Sequence, residues 1–223
     1  MAPRFTPPPA EITMLEGGYS ILVFVICFIL YYKLRSIYKL TEYHGLHYFS
    51  NTFLFLGLAY FLRFIVFVFT HSSQPEFDDF RNLLIFSIAF MVYSSSASIL
   101  YLIYSLTWRI TEIFRNEALL HSLAILLTVL SLLSRPGSTL LIQAALLVVL
   151  LFAIVLNYKK YDTERKTMLG RIYPLYILTF FFWILNLLVS FRVFIPFEFR
   201  FLVYGLSILL LLIIAHRVLK KIG

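Results

Sequence analysis

The stretch NTFLFLGLAYFLRFIVFVFT, residues 51–70, is apolar for about the length of one bilayer crossing, yet it carries Arg63 well inside it. A bilayer core of about 30 Å needs about 20 helical residues, because each residue adds about 1.5 Å to a helix. The stretch therefore predicts a transmembrane helix. A permanent cation within that helix raises the question of what pairs with it.

The whole chain has the composition of a membrane protein. Of its 223 residues, 61% are hydrophobic and 13% charged, whereas soluble domains have roughly 45–50% apolar and 25% charged residues. The net charge of +8 is carried by short basic tracts between the apolar runs, where Lys and Arg commonly flank membrane spans. We therefore expect the lipid bilayer as a partner and no nucleic acid.

Seven runs are long and apolar enough to be spans, and none shows the alternation of a β-barrel strand. They are residues 19–34, 48–70, 83–106, 119–134, 139–157, 172–191 and 201–218. The sequence thus predicts an all-α integral membrane protein, a seven-transmembrane-helix bundle. Residues 1–18 are predicted to be a short extracytoplasmic tail, 19–218 a single transmembrane domain, and 219–223 a cytoplasmic end. The intervals between runs leave no room for a soluble domain, so any effector domain belongs to another protein.

The orientation follows from the Lys and Arg residues on alternate sides of the runs. One side holds five of them and the other thirteen, apart from Arg63. Cytoplasmic loops carry the excess of positive charge, so the N-terminus is predicted outside and the C-terminus in the cytoplasm. The expected location is the plasma membrane.

Polar residues line up on one face of several spans, since residues three, four and seven apart share a helix face. The third span carries Ser87, Ser94, Ser98, Tyr101 and Ser105 in this way. Such small hydroxyl residues are typical of close helix packing in membranes, and lining a cavity is the alternative. Asn186 in the sixth span is more informative, because an unpaired amide in hydrocarbon costs several kcal/mol.

Arg63 and Asn186 are expected at a similar depth, about 18 Å and about 20 Å from the inner boundary by helical rise. A charge in the membrane is costly and usually marks function, although an arginine so placed can also snorkel to the outer interface. No Asp or Glu lies within a predicted span, so its partner is predicted to be a neutral oxygen, a bound anion, or a carboxylate from Glu16, Glu76, Asp78 or Asp79. The predicted ligand-binding residues are Arg63, Asn186, Trp183, Ser94, Thr128 and Tyr60.

Four histidines, His44, His47, His121 and His216, fall near the predicted inner ends of their spans. They are candidates for a metal site or for the axial ligands of a haem, and interfacial packing is the alternative. The lone Cys27 within the first run allows no disulfide within one chain. Hydrolase signatures such as GxSxG and HExxH are missing, so an enzyme is not expected.

The predicted architecture resembles that of rhodopsins and other seven-helix receptors. A retinal protein of that kind has a lysine in the last span and a carboxylate in the third. Here the last span has no lysine before Lys220, and the third span has no Asp or Glu. Retinal is therefore not expected. The leading functional hypothesis is a sensor or receptor-like module that binds a small ligand in an outer-half pocket and acts through a cytoplasmic effector or a homo-oligomer. The alternatives are a small transporter or channel, and a haem-binding electron carrier.

Overall fold

The structure, a computed structural model, describes residues 10–72, 77–108, 116–134, 137–163, 168–190 and 197–222. Within these ranges the chain forms seven α-helices and no β-strand. They are α1 (Ala10–Thr41), α2 (His44–Ser72), α3 (Phe77–Thr107), α4 (Glu117–Leu133), α5 (Ser138–Thr163), α6 (Met168–Ser190) and α7 (Phe197–Arg217). A π-helical segment, Val218–Ile222, continues α7.

Six of these helices are long and apolar enough to cross a membrane, which confirms the prediction of an all-α membrane-type bundle. The exception is α4, whose 17 residues span only about 25 Å, less than the hydrocarbon core. Seven crossings and the orientation of the chain therefore stay predictions. Helix α1 begins at Ala10, inside the segment predicted as a tail, and the predicted cytoplasmic end is largely π-helical.

Six helices form a closed ring, and α4 lies outside it. The contacts run from α1 to α2, α3, α5, α6 and α7 and then back to α1, while α4 packs on α3 and α5. Helix α4 buries only one narrow stripe, made of Leu120, Ala124, Thr128 and Ser131. The ring thus needs no contribution from the helix that is too short to span about 30 Å.

The bundle has two ends that differ in chemistry. At one end α4 begins beside α2, where His47 Nε2 lies 2.9 Å from Glu117 Oε1; we call this the His47 end. At the other end α4 meets the start of α5, where Ser138 Oγ donates to the carbonyl of Ser131 at 3.0 Å. Because the first two turns of α1, which include Glu16, lie at this second end, we call it the Glu16 end.

Large apolar side chains cover the outer surface of the bundle. Leu133 on α4 is 81% exposed and Leu141 on α5 is 73% exposed, and much of the surface of both helices is of this kind. In water such continuous apolar surface would drive association. It is the surface expected of helices whose solvent is lipid, and the protein therefore has the character of a multi-pass membrane protein.

Helices α1 and α2 lie close together at Gly57 and Cys27. A Cβ atom added to Gly57 would lie 3.3 Å from the Cβ of Cys27 and 3.7 Å from the carbonyl oxygen of Phe24. Close backbone approach through small residues is how membrane helices gain packing energy without a hydrophobic driving force. Gly57 is therefore a packing residue of the α1–α2 contact.

We predict that Gly57→Leu lowers the thermal midpoint of the purified protein, because overpacking a close contact costs about 1–3 kcal/mol. The matched control is Gly205→Leu on α7, where an added Cβ meets nothing within 4 Å. Thermal unfolding in detergent, followed by circular dichroism, compares the two variants. Equal midpoints for the two would show that the α1–α2 contact tolerates the added side chain.

Candidate functional site

Asn186 on α6 joins three helices through one oxygen atom. Its Oδ1 accepts a hydrogen bond from the hydroxyl of Tyr19 on α1 at 2.7 Å and a second one from the hydroxyl of Tyr60 on α2. The amide nitrogen donates to the carbonyl of Phe182 in its own helix at 2.8 Å. The bond to Phe182 fixes which side of the amide is nitrogen, because a carbonyl oxygen can only accept, and the amide oxygen therefore faces the two hydroxyls.

Arg63 on α2 is paired with Glu16 on α1, one of the carboxylates that the sequence proposes for it. Arg63 Nη2 lies 3.7 Å from Glu16 Oε2, and the two side chains are 27% and 15% exposed. The hydroxyl of Tyr204 on α7 donates to Glu16 Oε1 at 3.2 Å. The ion pair is long for a charge-assisted hydrogen bond, which is usually about 2.7–2.9 Å. The other proposed partners, Glu76, Asp78 and Asp79, lie outside the described side chains.

The rings of the same tyrosines pack against one another. The Tyr19 ring meets the Tyr60 ring edge-on, with centroids 5.6 Å apart, and lies 4.5 Å from the Tyr204 ring. Aromatic pairs at such separations add about 0.5–1.5 kcal/mol beyond their area burial. The hydrogen bonds of Asn186 and the ion pair of Arg63 therefore belong to one cluster that ties α1, α2, α6 and α7 together at the Glu16 end.

A cavity of about 110 Å³ opens beside this cluster, between α2, α3, α5 and α6. Its polar lining contains Arg63, Asn186, Gln143 and Ser95. Gln143 Nε2 donates to Ser95 Oγ at 3.0 Å, and Ser95 in turn donates to the carbonyl of Val92. The remaining lining residues are Leu56, Ala59, Tyr60, Met91, Val92, Thr139, Trp183 and Leu187.

The structure brings four of the six predicted site residues together at this cavity: Arg63, Asn186, Trp183 and Tyr60. Ser94 is fully buried outside the lining, and Thr128 donates to the carbonyl of Ala124 in its own helix. Adjacent helical residues point about 100° apart, so Ser95 reaches the cavity where Ser94 does not. That these residues bind a ligand stays a prediction.

The serine face of α3 packs against α2. Ser98 Oγ donates to the carbonyl of Thr52 at 2.9 Å, and Ser105 Oγ donates to the carbonyl of Gly45 at 2.6 Å. Both bonds cross between helices, as is common where small polar residues meet in membrane proteins. Helix packing, the first of the two interpretations of this face, accounts for Ser98 and Ser105.

Sequence reasoning did not include Tyr19, Tyr204 and Ser95 in the site. Tyr19 and Tyr204 lie near the ends of apolar runs, where tyrosine is common as an interfacial residue and so gives no specific signal. Ser95 belongs to a run of three consecutive serines, residues 94–96. A choice among the three would have required the rotation of α3 about its axis, which follows from tertiary packing.

His47 lies between two charged groups at the His47 end. Arg35 Nη1 is 2.7 Å from His47 Nδ1, and His47 Nε2 is 2.9 Å from Glu117 Oε1. Arginine can only donate, so Nδ1 is the acceptor and the proton of a neutral His47 is on Nε2, which donates to Glu117. Both ring nitrogens therefore have protein partners.

His121 on α4 is likewise bonded at both ring nitrogens. Its Nδ1 is 2.7 Å from the hydroxyl of Tyr93, and its Nε2 is 3.0 Å from the hydroxyl of Tyr101. Phe55 stacks on the Tyr101 ring at 5.3 Å and contacts the His121 ring at 5.5 Å. This histidine therefore fastens α4 to α3.

The other two candidate histidines are placed differently. His44 contacts the rings of Tyr38 and Trp108, and His216 is exposed near the end of α7. Among the described residues, no group of three or more His, Cys, Asp or Glu side chains is arranged to hold a metal ion. Axial ligation of a haem by His47 or His121 would require the ligating nitrogen to lose its present hydrogen bond, while the other nitrogen could keep its partner.

The chain is 47% identical to a protein of Archaeoglobus fulgidus over 230 aligned positions, which cover 100% of both chains. The two proteins belong to one family. The relative is described only as an uncharacterized protein, so membership in this family brings no activity with it. No protein-family model matches the chain, and no solved structure matches it significantly. The candidate site is therefore argued from its own chemistry.

We predict that Asn186→Ala destabilises the bundle by about 1–3 kcal/mol, because it leaves the buried hydroxyls of Tyr19 and Tyr60 without their acceptor. Adding either Tyr19→Phe or Tyr60→Phe to the Asn186→Ala protein removes one unpaired hydroxyl and should recover part of this loss. The wild type, Asn186→Ala and these two double variants make four proteins. Thermal unfolding of the four proteins in detergent measures both effects. If the tyrosine substitutions add to the loss, the three residues are not coupled through Asn186.

Proposed function

We propose that the protein is a membrane-embedded sensor, receptor-like in organisation, which binds a small ligand in the cavity beside Arg63. The observation that supports this function is the position of the cavity. It lies within an apolar bundle, it is lined by Arg63, Asn186 and Gln143, and it adjoins a cluster that ties four helices together. Concave sites with a few convergent polar groups on apolar walls are typical of small-molecule binding.

The proposed orientation has the N-terminus outside and the C-terminus in the cytoplasm, and the proposed location is the plasma membrane. The excess of Lys and Arg in alternate intervals supports the orientation. In this orientation the Glu16 end faces outward, so a ligand from outside the cell has a short path to the cavity. The His47 end then faces the cytoplasm.

The proposed output is a shift of helices that a separate protein or a second copy of the chain detects. A ligand in the cavity contacts α2, α3, α5 and α6 at once, and the cluster beside it extends the contact to α1 and α7. A ligand shifts a conformational equilibrium only by its differential affinity for the two states. The proposal therefore requires two arrangements of the cluster and a ligand that binds one of them more tightly than the other.

The orientation predicts which introduced cysteines react with a membrane-impermeant maleimide. Since Cys27 is buried, it is replaced by Ala, and a single cysteine is placed at Ser134 near the Glu16 end or at Leu40 near the His47 end, both of which are exposed. We expect labelling of the Ser134→Cys protein in intact cells and of the Leu40→Cys protein only after permeabilisation. The opposite pattern would place the N-terminus in the cytoplasm.

We predict that Ala59→Leu abolishes ligand binding, because the larger side chain fills part of a cavity of about 110 Å³ that Ala59 lines. The matched control is Ala145→Leu on the exposed face of α5. A chemically mixed panel of small molecules is screened by thermal stabilisation, since a compound at 100 times its Kd stabilises by about 2.7 kcal/mol. Stabilisation that survives Ala59→Leu, or none from any compound, would count against the cavity as a ligand site.

A transporter with the same cavity is distinguished by flux. Compounds that stabilise the protein are radiolabelled and tested for uptake into vesicles reconstituted with it. A sensor binds its ligand without accumulation in the vesicle lumen, and the proposed function predicts this result. Uptake that Ala59→Leu abolishes and Ala145→Leu preserves would instead identify a transporter.

A further inference from the structure

The cavity is lined by one charged side chain among the described residues, the guanidinium of Arg63. Arginine stays protonated under all conditions that a protein survives. Its carboxylate partner Glu16 is not part of the lining, and the 3.7 Å separation between their nearest atoms leaves the pair short of hydrogen-bond contact. The lining therefore presents a cation whose hydrogen-bonding capacity the protein itself uses only partly.

A further polar side chain of the lining, that of Trp183, is a donor. The indole N–H of Trp183, which can only donate, is buried and has no hydrogen-bond partner in the described part of the chain. The acceptor oxygen of Asn186 already receives two tyrosine hydroxyls. The guanidinium of Arg63 and the indole N–H of Trp183 are both donors, so together they favour a ligand that accepts hydrogen bonds.

The rest of the wall is apolar and the space is small. Leu56, Met91, Val92 and Leu187 line it together with Ala59. An apolar cavity of about 150 Å³ is large enough for the six carbons of benzene, so a volume of about 110 Å³ suits a ligand whose apolar body has about four carbon atoms. Such a ligand needs an apolar body and one anionic head.

From the proposed ligand-binding function we infer further that the ligand is a small aliphatic carboxylate and that its head group replaces Glu16 at Arg63. A guanidinium holds a carboxylate in two parallel hydrogen bonds when both can align, an arrangement that the Arg63–Glu16 pair lacks. The ligand carboxylate forms an ion pair with the guanidinium of Arg63, and the aliphatic part of the ligand lies against Leu56 and Val92. Glu16 keeps its hydrogen bond from Tyr204.

This exchange gives the ligand an effect on the helices. Glu16 is on α1 and bonded to α7, whereas Arg63 is on α2. When the ligand binds Arg63, the ion pair between α2 and α1 is broken, and with it the link from α2 through Glu16 to α7. The hydrogen bonds to Asn186 remain. Binding of the ligand is coupled to the opening of the Arg63–Glu16 ion pair. A change that weakens this ion pair must therefore strengthen ligand binding by the same free energy.

The test uses isovalerate and its neutral isostere isovaleramide, with the fluorescence of Trp183 as the readout. The chain has two tryptophans, and the second, Trp108, contacts Tyr43 and His44 at the His47 end, so Trp108→Phe leaves Trp183 as the single reporter. We expect isovalerate to bind at least about tenfold more tightly than the amide, because a carboxylate forms bidentate charge-assisted hydrogen bonds with a guanidinium that a neutral amide cannot form.

Two variants test the exchange with Glu16. Arg63→Gln should reduce the affinity for isovalerate at least tenfold and leave the affinity for the amide nearly unchanged. Glu16→Gln keeps Arg63 but removes the competing charge, so it should tighten isovalerate binding several-fold, with the hydrogen bond from Tyr204 retained. Leu212→Gln, on the exposed face of α7, is the control for a polar substitution in a span, and circular dichroism checks that each variant folds.

The outcomes separate the ligand class from the proposed function. Equal affinity for isovalerate and isovaleramide, or binding of neutral compounds only, overturns the carboxylate and leaves the cavity a ligand site. Weaker binding of isovalerate to the Glu16→Gln variant overturns the exchange, because Glu16 would then assist the ligand. If no small molecule of any class protects the protein and isovalerate leaves Trp183 fluorescence unchanged, both the ligand class and the proposed function are wrong.

Discussion

The bundle depends on the need to satisfy every polar group without water. Hydrocarbon offers no hydrogen bonds, so a buried amide or hydroxyl must find its partner on another helix or in its own backbone. Asn186 meets this need with a single carbonyl oxygen that serves hydroxyls from α1 and α2. The three helices cannot separate at this level without leaving polar groups unpaired, and their relative position is fixed there.

The two ends of the bundle meet the same need in different ways. At the Glu16 end a cation, a carboxylate and three tyrosines share a cluster that borders a cavity. At the His47 end the imidazole of His47 is hydrogen-bonded to Arg35 at one ring nitrogen and to Glu117 at the other. The closely hydrogen-bonded groups at the His47 end are suited to making this part of the bundle rigid. At the Glu16 end, the long Arg63–Glu16 ion pair beside a cavity is suited to an exchange of the partner of Arg63.

The sequence predicted the helical class and the main members of the candidate site, because both depend on local rules. Runs of apolar residues identify helices, and helical rise places Arg63 and Asn186 at a similar depth. The structure places both side chains on one cavity and pairs Arg63 with Glu16, one of the proposed partners. The rotation of each helix does not follow from such rules, since it depends on packing against neighbours. The sequence therefore indicates Ser94 where Ser95 reaches the cavity, and it does not predict the peripheral position of α4.

The closure of the ring through α1 and α7 has a consequence for biosynthesis. Tyr204 contributes both a hydrogen bond to Glu16 and a ring against Tyr19, and it belongs to α7, the seventh of the described α-helices. A ribosome delivers residues from the N-terminus onward, so α1 enters the membrane long before the side chain that completes its surroundings exists. Assembly of the Glu16 end is thereby delayed until α7 has been made, and a chain truncated before α7 has an open ring.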